Sequence, residues 1–195
     1  MTNVVDEHVQ ALRAAVQALK APQAVKRAPA PRSSVFGRAA AAVPADVRPP
    51  APRTTLQGRL NSVETSALLP GTTMALLVLP DEGAVPATLL VSLQLLVSAG
   101  AVAVLLGRDL PRDVPTDRSR PLTLPLRDDD SLAQEWGLIA AGPTRRIAFL
   151  ARREPTAPET WSWLLTRDTV AIHRAGTAIL ERVPFLRLRI PPLSD

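Results

Sequence analysis

Apolar residues at Val5, Val9, Leu12, Val16 and Leu19 recur with spacings of four, three, four and three. This a/d seam predicts a helix over residues 3–20. Two heptads are marginal as an isolated helix, so the seam calls for a partner, either its twin in a homodimer or a groove on the same chain. From residue 21 to 55 the periodicity is lost. Prolines at 22, 29, 31, 44, 49, 50 and 52 remove donors and disfavour helix at the residues before them. This stretch is expected to be a disordered, basic Pro/Ala/Arg-rich linker, with Val35 and Phe36 as one local anchor.

Beyond Leu56 the texture becomes that of a packed domain. Residues 73–79 read as a buried strand, Pro86 opens a helix running to about residue 99, and Gly100 stands where a helix C-cap favours glycine. Residues 101–106 and 122–126 read as two further buried strands. A short helix is expected over 131–136, with Asp128, Asp129 and Asp130 favourably near its start. Strands over 138–141 and 146–151, joined through Gly142-Pro143, are followed by another over 161–165. Thr166 is expected to cap a helix over 167–183 whose apolar face is Ile172, Ala175, Ile179 and Val183. Leu186, Leu188 and Ile190 alternate with Arg187 and Arg189, as in a strand with one wet face. The strand-helix-strand opening predicts parallel pairing and the later strand pair antiparallel pairing. The expected fold class is α/β: a mixed sheet flanked by helices over residues 56–195, preceded by an N-terminal helix (1–20) and the linker (21–55).

Composition narrows what such a domain can do. The chain has 195 residues and is 46% apolar, enough for one core. Three Phe, three Trp and no Tyr are too few to build a base-stacking platform. With no Cys, disulfides, cysteine–zinc sites and thiol chemistry are excluded, and His8 and His173 are far apart. Neither a metal nor another cofactor is expected. The first residues, acidic at Asp6 and Glu7 without a following apolar run, do not read as a signal peptide. The long apolar stretch over 88–106 is interrupted by Ser92, Gln94, Ser98 and Gly100, which favours a buried helix and strand over a membrane span. A soluble, cytoplasmic protein is the expectation. The net charge of +5 resides in the arm, where residues 20–59 hold eight basic residues against one acid, Asp46. Lys26, Arg27, Arg32 and Arg38 are therefore the candidates for weak, non-specific nucleic-acid contacts.

Catalytic signatures are not found: no G-x-S-x-G, H-E-x-x-H, G-x-G-x-x-G or P-loop sequence occurs. The three consecutive aspartates fit solvated capping, and His173 has no evident partner for base catalysis. The turn at residues 79–88 joins a buried strand to a helix, where a nucleotide phosphate would sit. The spacing over 74–100 resembles the ATP-binding unit of RecA-like proteins. However, no Lys is placed to reach a phosphate, and Asp81 and Glu82 put negative charge there. ATP hydrolysis is not expected.

The later part of the chain carries an ordered set of motifs. These are Gly107-Arg108-Asp109-Leu110-Pro111; Leu124-Pro125-Leu126-Arg127 leading through the aspartates to Glu135-Trp136; Leu138-Ile139; Gly142-Pro143; Phe149-Leu150-Ala151-Arg152; and Trp163-Leu164-Leu165-Thr166-Arg167-Asp168. Over residues 70–183 this pattern resembles the DICT domain, a sensory module of bacterial signalling proteins. The resemblance implies signal sensing or protein–protein interaction and no catalysis, with Glu135, Trp136, Thr166 and Asp168 as candidate binding residues. Each also has a plainer reading: Trp136 as core filler, Glu135 as an arginine's partner, Thr166 and Asp168 as helix caps. The alternative is a RecA-like accessory protein without an ATP site, of the DNA-damage, mutagenesis or division-inhibitor type.

Overall fold

The computed structural model describes residues 34–79, 85–110, 113 and 120–183 of the chain. Next to the middle of its sheet lies β2 (Met74–Val78), in which all five residues are buried. Such a run is the mark of a strand covered on both faces. It pairs in parallel with β3 (Val102–Gly107) and antiparallel with β5 (Glu135–Ala141). Parallel pairing needs a crossover, and α3 (Ala87–Ser98) supplies it. The helix ends as the glycine predicts: Gly100 has φ +94°, its N–H donates to Val97 O at 2.9 Å, and Ala101 N–H donates to Leu96 O at 2.9 Å.

β4 (Leu122–Pro125) extends the parallel part beyond β3. On the other side β5, β6 (Arg146–Arg153), β7 (Thr160–Thr166) and β1 (Val47–Pro52) are successively antiparallel. The seven-stranded order is β1-β7-β6-β5-β2-β3-β4. The expected mixed sheet with helices is what the chain forms.

Helices cover both faces. Met74, Leu76, Ile139 and Leu150 face α1 (Val35–Ala40) and α4 (Thr169–Leu180). Leu77, Leu138, Phe149 and Trp161 face α2 (Arg53–Ala67) and α3. The second layer holds the aromatic cluster: Trp136 lies edge-on to Phe149 and Trp161, with centroids 5.9 and 6.1 Å away.

Several expectations need correction. From Ser34 onward the supposed linker is built into the domain. Ser34 Oγ accepts from Gly37 N–H at 2.7 Å and starts α1, whose Val35, Phe36 and Ala39 are buried against α4 and the sheet. Apolar burial here outweighs the proline-rich composition. The prolines are accommodated because β1 is an edge strand, paired on one side only and shifted in register between Arg48 and Ala51. A helix not foreseen in the sequence, α2, follows, burying Leu56, Leu60, Val63 and Ala67. The expected helix over 131–136 is a 3-10 turn, Ser131–Gln134, after which Glu135 already begins β5. Asp168, not Thr166, caps α4, accepting from Ala171 N–H at 2.8 Å. The expected helix over 3–20 and strand at 186–190 lie outside the described residues.

The far edge of the sheet is covered at its middle. Asp113 bridges Thr123 of β4 through two backbone hydrogen bonds of 3.1 and 2.9 Å.

Candidate functional site

The four residues singled out in the sequence do not converge. Glu135 pairs with Arg152, which is level with Ser162, whereas Thr166 pairs with Ala148, level with Ile139. Four residues of extended chain separate the two levels, about 13 Å. Alternation along β5 also sends Glu135 and Trp136 to opposite faces. Trp136 is 3% exposed and packed in the aromatic cluster. Thr166 is buried and its Oγ1 accepts from Asp168 N–H at 3.1 Å, while the Asp168 carboxylate is the α4 cap. Both belong to the helix start.

Glu135, also 3% exposed, is the most unusual of the four. Its Oε2 accepts from Phe36 N–H at 2.9 Å and so holds the start of α1 on the sheet. Oε1 is enclosed without a hydrogen bond of good geometry, although the Ser34 hydroxyl lies near enough to favour the charged form. Burial pushes this carboxyl above its ordinary value, against the opposing pull of Ser34, the Phe36 and Val35 amides and the Arg182 guanidinium.

A second buried polar lock stands beside it. The Asp130 and Arg182 side chains are 5% and 4% exposed, and Arg182 Nη2 lies 2.7 Å from Asp130 Oδ1, with Nε 2.9 Å from Oδ2. Arg182 Nη1 donates to Ala178 O at 2.6 Å, and Asp130 Oδ1 also accepts from Leu132 N–H at 2.9 Å. The pair ties the end of α4 to the turn that leads into β5. The other two aspartates of the run are exposed, Asp129 with Arg127 at 2.8 Å and Asp128 near Arg108 at 3.7 Å.

Two surface grooves of about 500 Å³ each lie on the α2–α3 side of the sheet. One runs between α2 and α3 and is lined by Gln57, Asn61, Glu64, Thr65, Thr88 and Ser92, among others. Partial burial raises the Glu64 carboxyl above its ordinary value. The other lies where the C-terminal end of α2 meets the β5–β6 turn. Its walls include Leu69 and Ile147, and Arg145, Arg146 and Arg167 line it together with Thr144. The close approach that shapes this end is set by Gly142: a Cβ there would stand 2.2 Å from Gly71 O. Desolvation lowers the Arg146 guanidinium from its ordinary value. Nothing in the sequence pattern marked this groove beyond the Thr144-Arg145-Arg146 run after the turn.

Of the candidate nucleic-acid contacts, Arg38 lies on α1 and pairs with Glu181 at 2.8 Å. Lys26, Arg27 and Arg32 lie outside the described residues, as do Asp81 and Glu82 of the strand-to-helix turn. His173 is exposed on α4. Among the described residues, no group of three or more His, Cys, Asp or Glu could hold a metal ion, and no helix is long and apolar enough to cross a membrane. No protein-family model matches the chain, and neither does any curated protein or solved structure.

Proposed function

We propose that this chain is a non-catalytic, cytoplasmic sensory or regulatory module of the DICT kind, acting through a protein partner. The observation that carries this reading is the sheet order. Four of the seven strands, β5-β6-β7-β1, form a successively antiparallel run, and β2 has an antiparallel neighbour on one side. A RecA-like core would place β2 centrally among parallel strands flanked by the later ones. The acids of the resemblance motif also have internal work: Glu135 holds α1, Asp130 holds Arg182 and Asp168 caps α4. That favours structural roles over chemistry at those positions.

The N-terminal seam of Val5, Val9, Leu12, Val16 and Leu19 is proposed to join two copies. Light scattering coupled to size exclusion on the full chain should then give a dimer, and Val9→Asp/Leu12→Asp a monomer. A monomeric full chain removes the dimer. Steady phosphate release from ATP, lost on one point change within residues 73–183, would overturn the non-catalytic reading.

The parallel unit β2-α3-β3 supports the RecA-like accessory reading as the second choice. On that reading Lys26, Arg27 and Arg32 make phosphate contacts that weaken steeply with salt, while Arg38 is held by Glu181. Filter binding of DNA and RNA at low salt checks this, and no retention removes it.

A further inference from the structure

We infer that the groove between the C-terminal end of α2 and the β5–β6 turn binds a small organic oxyanion carried on an apolar body. Most described arginines are committed within the fold. Arg38 pairs with Glu181, Arg127 with Asp129 and Arg182 with Asp130, while Arg59 and Arg153 lie 4.7 and 5.2 Å over Trp163 and Trp161. Arg48, Arg174, Arg145 and Arg167 have no such partner among the described residues, and of these Arg145 and Arg167 share a groove. Both are exposed, and no described carboxylate lies within ion-pair distance of either. Arg146 also lines the groove but is buried, so Arg145 and Arg167 are the two exposed cations that the groove presents outward.

The lining fixes the ligand class. It contains arginines and hydroxyls but no acid, so a cation is disfavoured and an anion is favoured. Guanidinium forks suit the planar or tetrahedral faces of carboxylate and phosphate. The Ser66 and Thr72 hydroxyls already donate to Val63 O and Ala67 O, at 2.9 and 2.6 Å, which leaves them as acceptors. The oxyanion therefore relies on Arg145, Arg167 and the Thr144 hydroxyl. Leu69, Ile147 and Ala140 supply an apolar wall beside the arginines, against which an apolar body can lie. Gly142, just before the groove's Thr144-Arg145 segment in the chain, packs against the Gly71 carbonyl too closely for a Cβ and so fixes the course of the turn.

The proposal gives the sensory reading a candidate signal, and it rests on that reading only for its biological meaning. The test uses the full chain with phenyl phosphate as probe, followed by backbone amide NMR and calorimetry, with benzyl alcohol and inorganic phosphate as controls. Phenyl phosphate should perturb amides at residues 66–72, 144–147 and 167, and should bind at least about tenfold more tightly than either control. Arg145→Glu and Arg167→Glu, both at exposed positions, should each weaken it by about tenfold or more without altering thermal stability. Arg145→Lys/Arg167→Lys, which keeps charge but loses the forks, should weaken it less. Absence of those perturbations, equal binding of benzyl alcohol, or affinity unchanged in both Glu variants would overturn the site. Equal binding of inorganic phosphate would overturn the apolar-body part. Release of phenol from the bound ester would overturn the non-catalytic reading while leaving the site standing, so the two ideas fail separately.

Discussion

Glu135 meets its surroundings with two unequal oxygens. One holds the Phe36 amide, and the other is enclosed without a matching donor of good geometry. Because burial raises this carboxyl above its ordinary value of 4.5, the native state keeps the proton more tightly than the unfolded chain does. Its stabilising contribution is therefore fully present below that value and is lost as pH rises through the raised native one. Glu64 is shifted in the same direction. Thermal unfolding across mildly acidic to neutral pH should show stability falling in this window, and Glu135→Gln should flatten the fall. Glu135→Leu leaves the Phe36 amide unpaired and should cost about 1–3 kcal/mol. At the neighbouring lock, Arg182→Leu strands a buried carboxylate, and chemical denaturation should report a loss of about 3–5 kcal/mol. Asp130→Asn/Arg182→Leu should recover much of it, since Asn still accepts from Leu132 N–H and carries no charge.

At the scale of elements, the helices differ in how they are held. α2 has Gly58 on its exposed side with open space around a would-be Cβ. Gly58→Ala should stabilise the protein by about 0.5–1 kcal/mol in denaturant titration. Gly142→Ala should destabilise it by more than that, because the new carbon meets the Gly71 carbonyl in a place fixed by backbone on both sides. Elements with a simple periodicity were legible in the sequence. β2, α3 with its Gly100 terminus, β3, β6, β7 and the Ile172-Ala175-Ile179-Val183 face of α4 are all found where the pattern puts them. α2 was missed although Leu56, Leu60, Val63 and Ala67 carry a four-three-four spacing, because its polar residues blended with the proline-rich stretch before it. β1 was missed because proline argues against any strand until its edge position is known. The groove was illegible for a different reason. Arg145 and Arg167 are separated by a whole strand pair, and only the fold makes them neighbours.

On the scale of the molecule, the domain begins earlier than its composition suggests. Val35, Phe36 and Ala39 fill the layer beneath α4, and β1 completes the sheet beside β7. A truncation beginning at Thr54 removes both. It should lose cooperative thermal unfolding, whereas a truncation beginning at Ser33, which keeps α1 and β1, should retain it; circular dichroism melts distinguish the two. A Thr54 truncation that still melts cooperatively would show that α1 and β1 only decorate a self-sufficient core. This matters for any test of the N-terminal seam, which should be made by substitution in the full chain and not by cutting at the apparent texture change.

The two margins of the sheet carry a consequence for assembly. A strand joining at β1 would face Pro49, Pro50 and Pro52, which have no N–H to offer, and one joining at β4 would have to displace Asp113 from Thr123 and lie against Pro125. Among the described residues, ribbon-like growth from copy to copy is thus opposed at both ends. Among those residues, a partner is therefore received more readily by the helices or the groove than by the margins of the sheet.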